Sequence, residues 1–175
     1  MPDDISRGLS MARQITFHNG VKVAARASTE IEAWLREWHG TVNVENVEGD
    51  PEYQAKDIDL IWATITRDYT IEIKADRWHA TGNFFFETVS NKEKGTLGCF
   101  LYTEADFVFY YYPEPRTLYI LPMPRARNWF LANVDRFEEK ETTTPVGSEY
   151  YTTVGRLIPI EIVLTEVKGV TVKQL

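Results

Sequence analysis

Two stretches of the chain alternate apolar and charged residues with the two-residue period of a half-buried strand. They are Lys56-Asp-Ile-Asp-Leu-Ile-Trp62 and Tyr69-Thr-Ile-Glu-Ile-Lys-Ala-Asp76. In the first, Ile58, Leu60 and Trp62 point one way and Asp57 and Asp59 the other. In the second, Ile71 and Ile73 pack inward, while Glu72, Lys74 and Asp76 share the opposite face, successive members roughly 6 to 7 Å apart. The short link from Ala63 to Asp68 lets the strands pair as a hairpin, which would bring Asp59 beside Glu72.

Before this pair, Ala24, Ala27, Ile31, Trp34, Leu35 and Trp38 follow helical spacing, and Gly40 supplies a stop near His39. The helix start stays open. Ser28 could cap it, it could begin after Asn19-Gly20, or that dipeptide could turn a small hairpin between residues 15–17 and 21–23. Trp34 and Trp38 are expected to anchor the helix on a sheet. Thr41 to Val47 reads as the first strand, and Glu48-Gly-Asp-Pro51 as a loop of turn residues.

After Asp76, a loop to Asn83 leads into a strand, Phe84 to Val89, expected to return along the same sheet. Thr96 to Thr103 suits a brief helix. Phe107 to Tyr112 and Thr117 to Leu121 read as a hairpin around Pro113-Glu-Pro115, its alternating aromatics suited to a central strand. Pro124 opens a helix to about Glu138, with Trp129, Phe130, Val134 and Phe137 on one side and Arg125, Arg127 and Arg136 on the other. Glu139 to Gly147 reads as a mobile loop. Strands at Tyr150 to Val154 and Ile160 to Val167 would complete one domain spanning residues 1–175.

A chain of 175 residues can bury a core of its own, and its one cysteine, Cys99, excludes an intramolecular disulfide. The polar N-terminus and the lack of any run near ~20 apolar residues predict a cytoplasmic protein with no membrane association. A net charge of −7 argues against a nucleic-acid binder, because phosphate contacts come from Lys and Arg. Charge is segregated, however. No acid lies between Arg116 and Arg127, and Asp135, Glu138, Glu139 and Glu141 cluster further on. Arg77, Lys92, Lys94, Arg125 and Arg127 are candidate phosphate contacts.

Asp59 and Glu72, with the backbone carbonyl of Ile73, offer the oxygen ligands that a hard divalent cation such as Mg²⁺ takes while keeping several waters. Lys74 beside them could orient or deprotonate a water, or offset charge on a phosphate. Asp57, Glu32, Asp76 and Glu87 are further candidates at the same site. Glu87 could equally form a structural salt bridge to Lys74. His79 is the histidine nearest to it.

This pattern resembles the PD-(D/E)xK nuclease superfamily, whose motif is an Asp on the second strand of a meander and (Asp/Glu)-x-Lys on the third. Asp59, Glu72 and Lys74 match those positions, although Ile58 stands where the motif has proline. In archaeal-type Holliday-junction resolvases a Glu on the first helix lies about ten residues before a glycine. Glu30 fits that place, with Glu32 as its neighbour. The stretches Thr81 to Asn91 and Gly98 to Asp106 also look like uncharacterised phage and bacterial members. The resemblance covers about residues 20–125.

It implies an α/β fold with a restriction-endonuclease-like core, a mixed central sheet flanked by helices. It also implies a Mg²⁺- or Mn²⁺-dependent endonuclease acting on DNA, including branched or otherwise structured DNA. Asp59, Glu72, Lys74 and Glu30 would be the catalytic residues. Related enzymes that cut two strands work as dimers, so a homodimer is compatible with this reading. The alternative is an inactive nucleic-acid-binding or structural module on the same fold, which the acidic net charge favours.

Overall fold

A computed structural model describes the backbone of residues 4–146 and 149–175, and the side chains within those ranges from residue 20 onward. The chain opens with a long helix, α1 (Asp4–Arg36), followed by β1 (Thr41–Asn46), a one-turn helix α2 (Pro51–Gln54), β2 (Leu60–Thr64) and β3 (Asp68–Ala75). A 3-10 turn (His79–Thr81) then leads to β4 (Asn83–Asn91), β5 (Thr96–Leu97) and α3 (Cys99–Tyr102). The second half comprises β6 (Phe107–Tyr112), β7 (Thr117–Pro122), α4 (Arg125–Asn133) with a 3-10 extension (Val134–Arg136), β8 (Glu139–Val146), β9 (Glu149–Pro159), α5 (Ile160–Glu166) and β10 (Thr171–Gln174).

Six strands form a mixed sheet in the order β1-β2-β3-β6-β7-β10, parallel between β3 and β6 and antiparallel elsewhere. The fold is therefore α/β, with a mixed central sheet flanked by helices. The predicted hairpin between the two acidic segments is present, with Leu60 opposite Ile71 and Ala63 opposite Asp68. The aromatic hairpin is also present, and β6 sits in the middle of the sheet as its residues suggest.

One face of this sheet packs on α1. Ala27, Ile31 and Leu35 interlock there with Leu60, Ile71, Phe109, Tyr111 and Leu118. Trp34 meets Phe109 edge to face, and Trp38 bridges Trp34 and Trp62 in the same way, so both anchor the helix as expected. The other face is covered by a second sheet, in the order β5-β4-β9-β8. Between the sheets lies a core of Phe84, Phe86, Phe100, Val108, Tyr110 and Tyr112, closed by Phe130 of α4 and Val163 of α5.

Several local expectations are corrected. The first helix runs straight through Asn19-Gly20, with no hairpin between residues 15–17 and 21–23 and no start at Ser28. One glycine costs a helix only about 1 kcal/mol, and α1 gains packing on both β1 and β8. The strand expected from Lys56 begins only at Leu60, because Asp57 takes a left-handed backbone (φ 56°) at the end of a turn. Phe84 to Val89 pairs with β9 in the second sheet rather than returning along the first. Residues 139–146, read as a mobile loop, form strand β8 on the edge of that sheet, while Gly147 lies outside the described residues.

Thr96 and Leu97 form a short strand, and the brief helix is confined to Cys99–Tyr102. The β-branched run after Pro159 is helical: Val163 and Val167 turn one buried side to the core, and packing overrides the strand preference of Ile and Val. Among the described residues no helix is long and apolar enough to cross a membrane.

Candidate active site

Glu72 and Lys74 project from β3 on the face turned toward the second sheet, since they lie beside Val108 and Tyr110 of β6, both members of the inter-sheet core. This is the face opposite Ile71 and Ile73, as alternation requires. It is not an open face, however. Glu72 is 4% exposed, and the Lys74 side chain keeps 30% of its surface.

Asp59 ends up beside Glu72 because β2 and β3 part company at this point. The Asp59 amide still donates to the Ile71 carbonyl at 2.9 Å. One step further, the ladder is continued by a side chain: the Ile73 amide donates to Asp59 Oδ2 at 2.8 Å. A strand residue directs its N–H and C=O to the same side, so the Ile73 carbonyl faces the carboxylate side of this split.

Asp57 joins the group from the preceding turn. Its Oδ1 accepts from the Tyr102 hydroxyl at 3.1 Å, and its backbone carbonyl accepts from the Thr103 hydroxyl at 2.7 Å, so the end of α3 clamps the turn. Asp57 Oδ2 is buried with no hydrogen-bond partner among the described residues. A buried carboxylate oxygen left bare costs free energy that a proton or a cation would remove.

Glu87 enters from β4, with Oε2 3.8 Å from Lys74 Nζ, while Glu72 Oε1 lies 3.7 Å from it. The salt bridge anticipated for Glu87 and its place at the site are thus the same contact. Cys99 closes the floor: ligand atoms of Asp57, Glu72 and Cys99 lie within 4.8 Å of one another. It reaches this point because Gly98 lets α3 start against β4. A Cβ on Gly98 would stand 2.7 Å from the Thr88 amide nitrogen and closer still to the Glu87 carbonyl.

The electrostatics follow from crowding acids in a confined space. Burial, the largest cause, pushes the Glu72 carboxyl well above its usual range, Lys74 opposes this, and Asp59 and Asp57 add to it. Asp57 is likewise raised, first by burial. Burial acts to lower Lys74, but the acids Glu87, Glu72 and Asp57 around it hold its ammonium well above normal. Burial also drives the Cys99 thiol upward, so it adds no charge to the group. The neighbouring acids thus favour the ammonium form of Lys74.

Other predicted site residues lie elsewhere. Glu30 sits on the α1 side of the sheet, across it from Glu72 and Lys74. There it accepts from Tyr111 and from Arg26 (2.8 Å) and pairs with Arg116 (3.1 Å). Glu32 holds Arg36 one turn along α1 and Asn46 at the end of β1. Asp76 shares the face of Glu72 but is bound to the Tyr110 hydroxyl (2.7 Å) and the Trp78 amide (2.8 Å).

The expected phosphate contacts are mostly engaged. Lys92 is paired with Glu141 at 2.5 Å. Arg125 caps the Lys168 carbonyl at 2.8 Å, and Arg127 turns inward to the carbonyls of Phe100 and Thr103. Lys94 lies in the β4–β5 turn, its backbone N–H donating to Asn91. Arg77 stacks on the Trp78 ring. His79 lies in the 3-10 turn after β3.

Sequence reasoning missed Cys99, Tyr102 and Gly98 as parts of the site. All three arrive through contact between β4, α3 and the residue 56–57 turn, and no local pattern announces such contacts.

Compared with family models, with curated proteins and with solved structures, the chain matches none.

Proposed function

We propose that the protein is a metal-dependent nuclease that hydrolyses phosphodiester bonds in DNA. The observation that carries this reading is the convergence of Asp59, Glu72, the Ile73 backbone and Lys74 where β2 leaves β3, with a bare Asp57 oxygen beside them. The element order supports it as well. A helix, a three-stranded meander, a short helix and a strand parallel to the third are in sequence α1, β1-β2-β3, α3 and β6, the order of a restriction-endonuclease-like core, with β4 and β5 inserted.

The donor set fits a divalent cation. Asp59, Glu72 and the Ile73 carbonyl would hold it, with Asp57 within reach of the same space, and hard oxygen ligands of this kind suit Mg²⁺ or Mn²⁺. When bound, the cation would act as a Lewis acid on the phosphate and lower the pKa of a coordinated water. Lys74, kept cationic, donates hydrogen bonds and offsets the negative charge that builds on the phosphate oxygens. In this reading a carboxylate would accept the proton, and we assign that role to Glu87, 3.8 Å from Lys74 on the opposite sheet. Glu30 has no part in this chemistry.

The test is cleavage of labelled duplex, nicked, branched and single-stranded DNA, with RNA counterparts, in Mg²⁺, Mn²⁺ or chelator. Metal-dependent cleavage is expected, with loss in Glu72→Ala and in Lys74→Ala while both variants remain folded by circular dichroism. Undiminished metal-dependent cleavage in both would sink the assignment. Tight binding without cleavage would favour the inactive nucleic-acid-binding module on the same fold, and neither binding nor cleavage the structural one.

A further inference from the structure

Immediately beyond the acid–lysine strand the chain passes through Arg77 and Trp78 into the 3-10 turn. Trp78 leaves 62% of its surface in water, whereas Trp34 and Trp62 pack against the α1-side core. Exposure of an indole forgoes a large share of the burial free energy an aromatic ring commands. Its mount is nonetheless well held. The Trp78 amide donates to Asp76 Oδ1 at 2.8 Å, and its carbonyl accepts from the Thr81 amide (3.1 Å) and hydroxyl (2.9 Å). Asp76 Oδ2 in turn accepts from the Tyr110 hydroxyl at 2.7 Å, on the sheet face that carries Glu72 and Lys74.

The Arg77 guanidinium lies over this ring, 4.8 Å from its centroid. Arg77 also lines a cavity of about 360 Å³ with Lys22, Val23, Arg26, Pro113 and Glu114. Arg26 is paired there with Glu114 and with Glu30, which leaves Lys22 and Arg77 as the cations facing it. A strand advances about 3.3 Å per residue, which puts Trp78 within roughly 13 Å of Lys74 along the chain. A short oligonucleotide spans that distance.

We propose that Trp78 is a stacking platform for an unpaired nucleobase, with Arg77 and the adjoining cationic cavity receiving the neighbouring phosphates. The inference rests on the nuclease reading and narrows its substrate to nucleic acid with a single-stranded stretch. An exposed ring on a hydrogen-bonded backbone turn, next to cations, is the arrangement by which proteins hold single strands without reading sequence. A duplex, whose bases are stacked on one another, offers the ring no face.

Fluorescence anisotropy with a labelled oligothymidylate and a duplex of equal length, both in chelator so that no cleavage occurs, tests the platform. Trp78→Ala should weaken single-strand binding about 5- to 150-fold, the range for loss of one stacked base, and leave duplex binding and Tm unchanged. Trp78→Phe should recover part of the loss. Unchanged single-strand affinity in Trp78→Ala overturns the platform, as does an equal loss for both probes or no binding of either probe by the wild type. The cleavage assay on Lys74→Ala reports separately on the nuclease itself, so failure of the platform and failure of the parent reading are distinguishable.

Discussion

Glu72→Gln separates a metal site from an ordinary buried ion pair, because the two give opposite results with and without the cation. In the wild type, Lys74 Nζ lies 3.7 Å from Glu72. At an effective dielectric constant near 20, that attraction is about 4 kcal/mol. Asp57 lies within 4.8 Å of Glu72, a repulsion of about 3 kcal/mol on the same footing. Asp59 adds to the repulsion, so the charge terms nearly cancel and burial decides, which is why the Glu72 carboxyl is raised. Without metal, the glutamine variant should therefore be as stable as the wild type to within about 1 kcal/mol, or more stable.

The pH dependence has a definite sign. A carboxyl whose folded pKa is raised binds more protons folded than unfolded, so its contribution is fully present below the unfolded value. It is lost as pH rises through the folded one. Wild-type stability should fall with pH over that window, and Glu72→Gln should flatten the fall. With Mg²⁺ or Mn²⁺ at a hundred times its dissociation constant, the wild type should gain about 2.7 kcal/mol by mass action. For a chain of this length, 1 kcal/mol moves Tm by about 2–4 °C, giving a rise of roughly 5–11 °C. Differential scanning fluorimetry in chelator and in metal, across pH, measures all of this. A metal-induced rise that survives in Glu72→Gln, or none in the wild type, refutes the site.

Two further substitutions test how the site is built. Glu30→Ala removes the acceptor for Tyr111, Arg26 and Arg116 and should cost about 1–3 kcal/mol in urea denaturation. The folded variant should retain full cleavage; loss of turnover at unchanged fold would restore Glu30 to the chemistry. Gly98→Ala should cost about 1–3 kcal/mol by overpacking against the Glu87 backbone. It should also slow cleavage by displacing Glu87 and Cys99, whereas wild-type stability and activity would show that α3 can shift freely.

The triplet Asp59, Glu72 and Lys74 was legible because strand alternation is a local rule. Side chains two apart share a face, and a hairpin link of a few residues sets which neighbours meet. Alternation could not say what that face meets. The acids read as an exposed row, yet Glu72 is almost wholly buried, because β4 joined β9 and covered the sheet. Glu30 shows the same limit from the other side. The resemblance to resolvases, through its distance from Gly40, selects it, but it lies across the sheet from Lys74, bound to Tyr111.

The sequence by itself determined the helix–meander order, the central aromatic hairpin and the shared face of Glu72 and Lys74, since each depends on periodicity and short connections. Only the tertiary structure decided that a second sheet exists, that residues 139–146 belong to it, and that Asp57, Glu87 and Cys99 complete the site. Those outcomes come from contacts between segments distant in sequence, where apolar burial outweighs the local preferences that a linear pattern records.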